Sequence, residues 1–214
     1  MKYTAAEVGE QVKLAIAGGY AIVFKGLMTE LNPSWEDVLN LIDAGYNDTT
    51  WDERASGNPK IEPAVGRLTI RGKFYVTVRL DSFGEPFTQM LPGFNFLREA
   101  VAADVRASHT VFGIAANEYA TETAVHNDPV HTFYWQMQGE SLWRLYKDRC
   151  CVYCDGRRNF DASELVGPGD LLFLPKELFH TVHVTGPRAA TVFRFEHDAE
   201  LFEVTDPRPE ILKL

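Results

Sequence analysis

Cysteine is scarce in this sequence, and its three copies, Cys150, Cys151 and Cys154, are crowded into one short stretch. No disulfide framework of the secreted type can be built from them, which fits a reducing compartment. Cys151-x-x-Cys154 has half the spacing of a zinc site, but no second Cys/His pair completes four ligands, so these thiols read as strand packing. Long apolar runs are missing: nothing approaches the roughly 18 residues of a membrane span, so no membrane partner is expected. The N-terminal stretch lacks the apolar core of a signal peptide, and a cytoplasmic location follows by default. Basic residues are in deficit, 21 against 30 acids, for a net charge of −9. That is the wrong sign for extensive nucleic-acid contact through phosphate neutralisation. The local exception, Arg144, Lys147, Arg149, Arg157 and Arg158 against Asp148 and Asp155, reads as a solvated hairpin, though it leaves an RNA or an acidic peptide open as a partner.

Repeats, low-complexity tracts and Gly/Ser/Pro linkers are also absent, so residues 1–214 read as a single domain. Residues 4–17 carry Ala5, Val8, Val12, Ala15 and Ile16 at helical spacing, and Gly18-Gly19 stop the helix before an apolar strand, Tyr20 to Phe24. Ser34 is placed to cap a second helix running to Ala44. Residues 45–65, rich in Asn, Asp, Gly and Pro, read as a long irregular segment, with strands expected at 67–71 and 73–80 and a helix at about 93–105. From 109 on, short β segments follow one another: 109–115, 121–126, 132–138, 142–146, 171–174, 180–184 and 190–196. Helices followed by many short strands give an α+β fold class, with a helical and β part at 1–108, a barrel or jelly roll at 109–197 and a tail at 198–214.

Within that β-rich part, His126-Asn127-Asp128 and His180 are the residues with metal-binding chemistry. Side chains alternate along a strand, so His126 and Asp128 project from the same face with Cα atoms roughly 6.5–7 Å apart. His180 ends another strand, beyond the Pro168-Gly169-Asp170 turn and the apolar run Leu171–Leu174. Two imidazoles and one carboxylate on one face of an octahedral ion leave three positions open, which suits non-haem Fe(II). His131 and His183 each stand three residues from one of these ligands, so parity turns them away from the metal, as surface or supporting groups. Thr132, Tyr134 and Gln136 share the parity of His126 and Asp128 and are expected to line the pocket, while Trp143 packs as core and Arg144 points outward.

The segments HNDPVHTFYWQMQGESLWRLY and PGDLLFLPKELFHTVHV resemble the two metal-bearing segments of the Jumonji-type (JmjC, cupin-like) hydroxylases. The resemblance covers roughly residues 109–197. It implies a double-stranded β-helix (a jelly roll) with N-terminal helices packed on the barrel, and Fe(II) held by His126, Asp128 and His180 as the catalytic triad. The implied co-substrate is 2-oxoglutarate, consumed with O₂ to give succinate and CO₂ as a substrate C–H is hydroxylated. Many such proteins bind the far carboxylate of 2-oxoglutarate with a Lys fifteen residues after the first His, where this sequence has Ser141. Arg194, fourteen residues after His180 on the final strand, offers a planar cation for the same carboxylate. Thr123 matches the position of a co-substrate-binding hydroxyl, and Tyr134, Thr132 and Ser141 complete the expected co-substrate pocket. The substrate is a peptide or protein side chain or a small molecule, with hydroxylation and demethylation both open. Competing readings are a cupin of another class, whether a 2-oxoglutarate-independent dioxygenase or an isomerase, an RNA-base hydroxylase, and a non-catalytic binding module.

Overall fold

The computed structural model describes residues 2–40, 61–64, 75–81, 92–101, 106–115, 125–146, 160–184, 186–195 and 212–213. Helix α1 (Ala5–Gly18) starts at a capping box, in which Glu7 N–H donates to Thr4 Oγ1 at 3.3 Å and Thr4 N–H donates to the Glu7 carboxylate at 2.9 Å. It ends at Gly19, whose φ of 66° is a left-handed cap. Ser34 and Asp37 make the same reciprocal pair at the start of the helical residues 35–40, with bonds of 2.8 and 3.2 Å. The rest of the run expected to reach Ala44 lies outside the described residues. Helix α2 (Pro92–Val101) packs against α1, with Gly9 set directly on the Ala100 carbonyl, an approach that leaves no room for a Cβ.

Eleven strands follow in chain order: β1 (Ile22–Phe24), β2 (Ile61–Ala64), β3 (Tyr75–Asp81), β4 (Arg106–Ala115), β5 (His131–Gln138), β6 (Ser141–Tyr146), β7 (Ala162–Val166), β8 (Leu171–Leu174), β9 (Phe179–Val184), β10 (Arg188–Phe195) and β11 (Leu212–Lys213). They form an eight-stranded sheet in the order β11-β1-β8-β5-β10-β4-β3-β2 and a three-stranded sheet β7-β6-β9, antiparallel at each pairing. The chain crosses between the sheets at Gly139-Glu140, between β7 and β8, between β8 and β9, and between β9 and β10. This is the jelly-roll winding expected from the strand pattern, in an α+β chain.

Three differences from the sequence reading have physical causes. The irregular span 45–65 contains β2, whose Pro63 is tolerated because β2 is the outer strand of its sheet. β7 is half-exposed along most of its length, so its apolar signal is weak. Among the described residues β11 pairs with β1, from the far end of the chain, a contact with no local signature. The larger sheet therefore takes strands from before residue 109 and after 197 as well as from the barrel segment. The expected strand at 67–71 and the Cys150–Cys154 stretch lie outside the described residues.

Strand alternation sorts the interior into two cores. Ile22, Phe24, Phe133, Trp135, Met137, Leu171, Phe173, Phe193 and Phe195 face α1 and α2 on one side of the large sheet. Ala21, Val23, Tyr134, Leu172, Leu174, Ala190 and Val192 face Trp143, Leu145, Val166 and Val182 of the small sheet on the other. A sheet buried on both faces gives the near-continuous apolar runs seen at Leu171–Leu174 and in β5. The Pro168-Gly169-Asp170 turn fixes the entry of β8: Asp170 accepts from Gly26 N–H at 2.8 Å, Gly167 N–H at 2.9 Å and Lys25 Nζ at 3.1 Å.

Candidate metal centre and barrel interior

Two backbone hydrogen bonds tie the first histidine to the second. His126 N–H donates to the His180 carbonyl at 3.1 Å, and His180 N–H returns a bond to the His126 carbonyl at 2.8 Å. Residues exchanging both bonds in an antiparallel pair stand opposite each other, with Cα atoms about 5.5 Å apart and side chains on one face. The two imidazoles accordingly meet with ring centres 4.3 Å apart. The segment after His126 is fastened to the turn before His180: Glu177 N–H donates to the Asp128 carbonyl at 2.8 Å, and Asn127 Nδ2 to the Glu177 carbonyl at 3.4 Å. Glu177 makes the turn at φ 68°, the left-handed region.

His180 is buried, 3% exposed, while His126 lies at the open side. Burial and then the neighbouring His126 push the His180 imidazole down to about 4, so it is neutral at physiological pH. Its Nδ1 lies 3.0 Å from the Leu178 carbonyl, a bond that requires the proton on Nδ1 and leaves the Nε2 lone pair for a metal. Asp128 is half-buried; its carboxylate lies 3.4 Å from Arg194 Nη2 and 3.5 Å from Thr132 Oγ1. As the side chains stand, no three His, Cys, Asp or Glu among the described residues are gathered into a ready-made metal cluster. The donor set itself fits an octahedral divalent ion: two imidazoles side by side, one with its tautomer fixed, and a carboxylate two residues from the first.

Behind His180 the barrel interior is aromatic and polar. The Trp143 ring centre is 5.4 Å from that of His180, and Tyr134 meets Trp143 edge-on at 4.6 Å. Trp143 Nε1 donates to Ser141 Oγ at 3.1 Å, and Ser141 donates to Gln136 Oε1 at 2.7 Å. Gln136 in turn donates to the Gln138 carbonyl at 2.7 Å. Arg188, 5% exposed, donates through Nη1 to the Tyr134 hydroxyl, its guanidinium carbon 6.0 Å from the ring centre.

A family model described as the JmjC domain matches residues 89–199, just over half of the chain. The chain belongs to the JmjC-domain family. No curated protein matches it in sequence. Among solved structures it is similar to the ribosomal oxygenase YcfD of Escherichia coli in complex with cobalt and 2-oxoglutarate, with 17% identity and a TM-score of 0.41 over 57% of this chain and 32% of that one. It is also similar to a cupin superfamily protein of Desulfitobacterium hafniense, with 15% identity and a TM-score of 0.31 over 44% and 76% of the two chains. Procruciferin, an 11S globulin of Brassica napus, is similar at 14% identity and a TM-score of 0.33 over 63% and 29%. The chain spans about a third of the length of the YcfD chains.

In this JmjC domain the sequence-derived positions are distributed unevenly. Asp128 meets Thr132 and Arg194, His126 pairs with His180, and Tyr134 and Ser141 lie inside the barrel. Thr123 lies outside the described residues, as do Lys147, Arg149, Arg157 and Arg158. Ser141, at the position of the usual Lys, is engaged on both sides by Gln136 and Trp143. Gln136 faces inward as its parity requires, and Arg144, on the opposite face, lies over the Phe160 ring at 5.4 Å. Of the two roles expected of His131, surface or supporting, the first does not hold. This histidine is 2% exposed, set between Phe173 and Phe195, and accepts the Lys176 N–H on Nδ1 at 3.1 Å, because the face turned from the metal is itself buried under the helices. Half-buried His183 lies opposite Leu142 in β9. Arg188 opens β10 two residues before the strand expected at 190–196, and its parity with Arg194 is the sequence signal for its inward face.

Proposed function

We propose that this chain is an Fe(II)- and 2-oxoglutarate-dependent oxygenase that hydroxylates or demethylates a peptide or protein side chain or a small molecule. The observation that carries the reading is the hydrogen-bonded pairing of His126 with His180, which sets two imidazoles 4.3 Å apart with Asp128 two residues on. His126, Asp128 and His180 would hold the iron. Bound there, iron supplies the chemistry that couples O₂ and the decarboxylation of 2-oxoglutarate to oxidation of a substrate C–H.

The protein's own part is to bind and position. The Leu178 carbonyl holds the His180 proton on Nδ1 and so leaves the Nε2 lone pair free for the iron that His126, Asp128 and His180 would hold. Trp143 and Tyr134, with Val182, Leu145 and Val192, build a dry wall behind the centre. The exposed side at His126 admits substrate.

The test is anaerobic loading with Fe(II), addition of 2-oxoglutarate and O₂, and measurement of succinate by NMR, alone and with panels of peptides, amino acids and nucleosides. Succinate that depends on iron and is stimulated by one panel is the expected result. Its loss in His180→Ala and Asp128→Ala assigns it to this centre. The commitment of Ser141 to Gln136 and Trp143 favours, as second reading, a metal-dependent cupin that does not use 2-oxoglutarate. Metal binding with no succinate under any condition selects it.

A further inference from the structure

Resting on the reading just given, we infer that Arg188 and Tyr134 are the seat for the far carboxylate of the 2-oxo acid, in place of a cation at the position of Ser141 and in place of Arg194. A dicarboxylate that holds the ion by its 2-oxo acid end carries its second carboxylate into the barrel, where an unpaired charge is costly. Three positions compete for it. Ser141 offers only a hydroxyl, and that hydroxyl donates to Gln136 and accepts from Trp143. Arg194 is 38% exposed at its side chain and is paired with Asp128.

Arg188 differs from both. It is buried, and it touches the same wall as the candidate ligand: His180 and Trp143 lie 5.4 Å apart, Trp143 and Tyr134 4.6 Å, and the guanidinium carbon is 6.0 Å from the Tyr134 ring centre. A guanidinium has a planar fork of donors suited to a carboxylate, and a phenol that accepts from it still carries an O–H of its own to donate. Cation and hydroxyl on one carboxylate is the pairing that burial requires. Strand parity and one close backbone approach aim Arg188 here. Gly139, at φ 67°, allows Pro187 and Arg188 to close on the β5–β6 turn, where a Cβ would stand 2.9 Å from Arg188 Cα. The β10–β5 ladder slips by one residue at Ala189/Ala190 with the extra residue, Met137, in β5, so the alternation of β10 runs unbroken and Arg188 shares the inward face of Ala190 and Val192.

The test is calorimetric titration of the Mn(II)-loaded protein, without turnover, using 2-oxoglutarate and 2-oxobutanoate, which keeps the chelating end and lacks the far carboxylate. The wild type is expected to prefer 2-oxoglutarate by at least about tenfold, because a site built for a polar group rejects the analogue without it. Arg188→Gln should abolish the preference, and Tyr134→Phe should reduce it about three- to tenfold. Arg194→Gln should keep it, and Mn(II) affinity should be unchanged in Arg188→Gln and Tyr134→Phe. If Arg188→Gln does not fold, Tyr134→Phe, which removes one hydroxyl, decides alone. Retention of the full preference in Tyr134→Phe, or its loss in Arg194→Gln, overturns the assignment while leaving the function intact. A wild type that binds Mn(II) but neither acid overturns the co-substrate reading itself, and this inference with it.

Discussion

The Arg194 guanidinium reaches across from β10 to the Asp128 carboxylate, Nη2 to Oδ1 at 3.4 Å, so the one carboxylate of the candidate metal set is held by a protein cation. The pair is partly solvated, with side-chain exposures of 38% and 20%, and a pair of this kind contributes about 0.2–1 kcal/mol. A divalent ion must compete with that contact and with the positive charge beside it. Arg194→Gln is therefore expected to tighten Mn(II) binding about two- to fivefold, measured by titration with EPR detection of free Mn(II). Weaker binding in the variant would instead make Arg194 the group that positions Asp128.

Asp170 ties its own turn to the segment after β1, because its carboxylate accepts from Gly167 on one side and from Lys25 and Gly26 on the other. Removing a buried, charged acceptor strands the two backbone donors. Asp170→Ala is expected to cost about 2–4 kcal/mol, read as the shift of a urea unfolding midpoint. A loss below about 1 kcal/mol would mean that water replaces the carboxylate at no penalty.

The same cluster sets a pH dependence. Burial alone lowers the Lys25 pKa, but the carboxylates of Glu164, 2.6 Å away, and Asp170 outweigh it and hold the ammonium above its ordinary 10.5. A group whose folded pKa is raised contributes its full stability below the unfolded value and loses it as pH rises through the folded one. Lys25→Met should therefore be less stable than wild type at pH 7 and 9, with the difference shrinking only above about pH 10.5. Unfolding midpoints across that range check it, and a gap that stays constant would remove the ion pairs as its cause.

Part of the barrel interior was legible because parity survives folding: Tyr134 and Gln136 lie inside the barrel as alternation requires. Alternation says nothing of which strand faces which, and the pairing of His126 with His180 is a single bridge outside the named strands, with Asp128 beyond it on no strand. What parity cannot tell is how the opposite face is covered. His131 is turned from the metal as expected, yet it is buried, because α1 and α2 roof that face. Arg188 is hidden for a different reason: a cation before the apolar run that begins at Ala189 reads as loop, although its parity with Ala190 and Val192 turns it inward. Pro63 concealed β2 because proline rules out a central strand and says nothing of an edge.

Two left-handed residues make opposite predictions. Gly139 at φ 67° sits against Pro187 and Arg188, so Gly139→Ala combines a left-handed penalty with a clash against backbone. A loss of at least about 2 kcal/mol is expected from strain and packing together. If Arg188 is aimed by this contact, the variant should also lose preference for 2-oxoglutarate over 2-oxobutanoate.

Glu177 is the converse, a residue with a Cβ held at φ 68° on an exposed turn. Glycine there would relieve about 1–2 kcal/mol of left-handed strain and cost about 0.5–1 kcal/mol in unfolded-state freedom. Glu177→Gly is thus expected to raise stability by about 0.5 kcal/mol, a small gain that matched urea titrations resolve. The Glu177 N–H that holds the Asp128 carbonyl at 2.8 Å belongs to the backbone and survives the change, so Mn(II) affinity should stay within about twofold of wild type. A stabilised variant with much weaker metal binding would show that the strained turn is kept for the metal site and not merely tolerated, since strain at such a position persists only where surrounding structure imposes it.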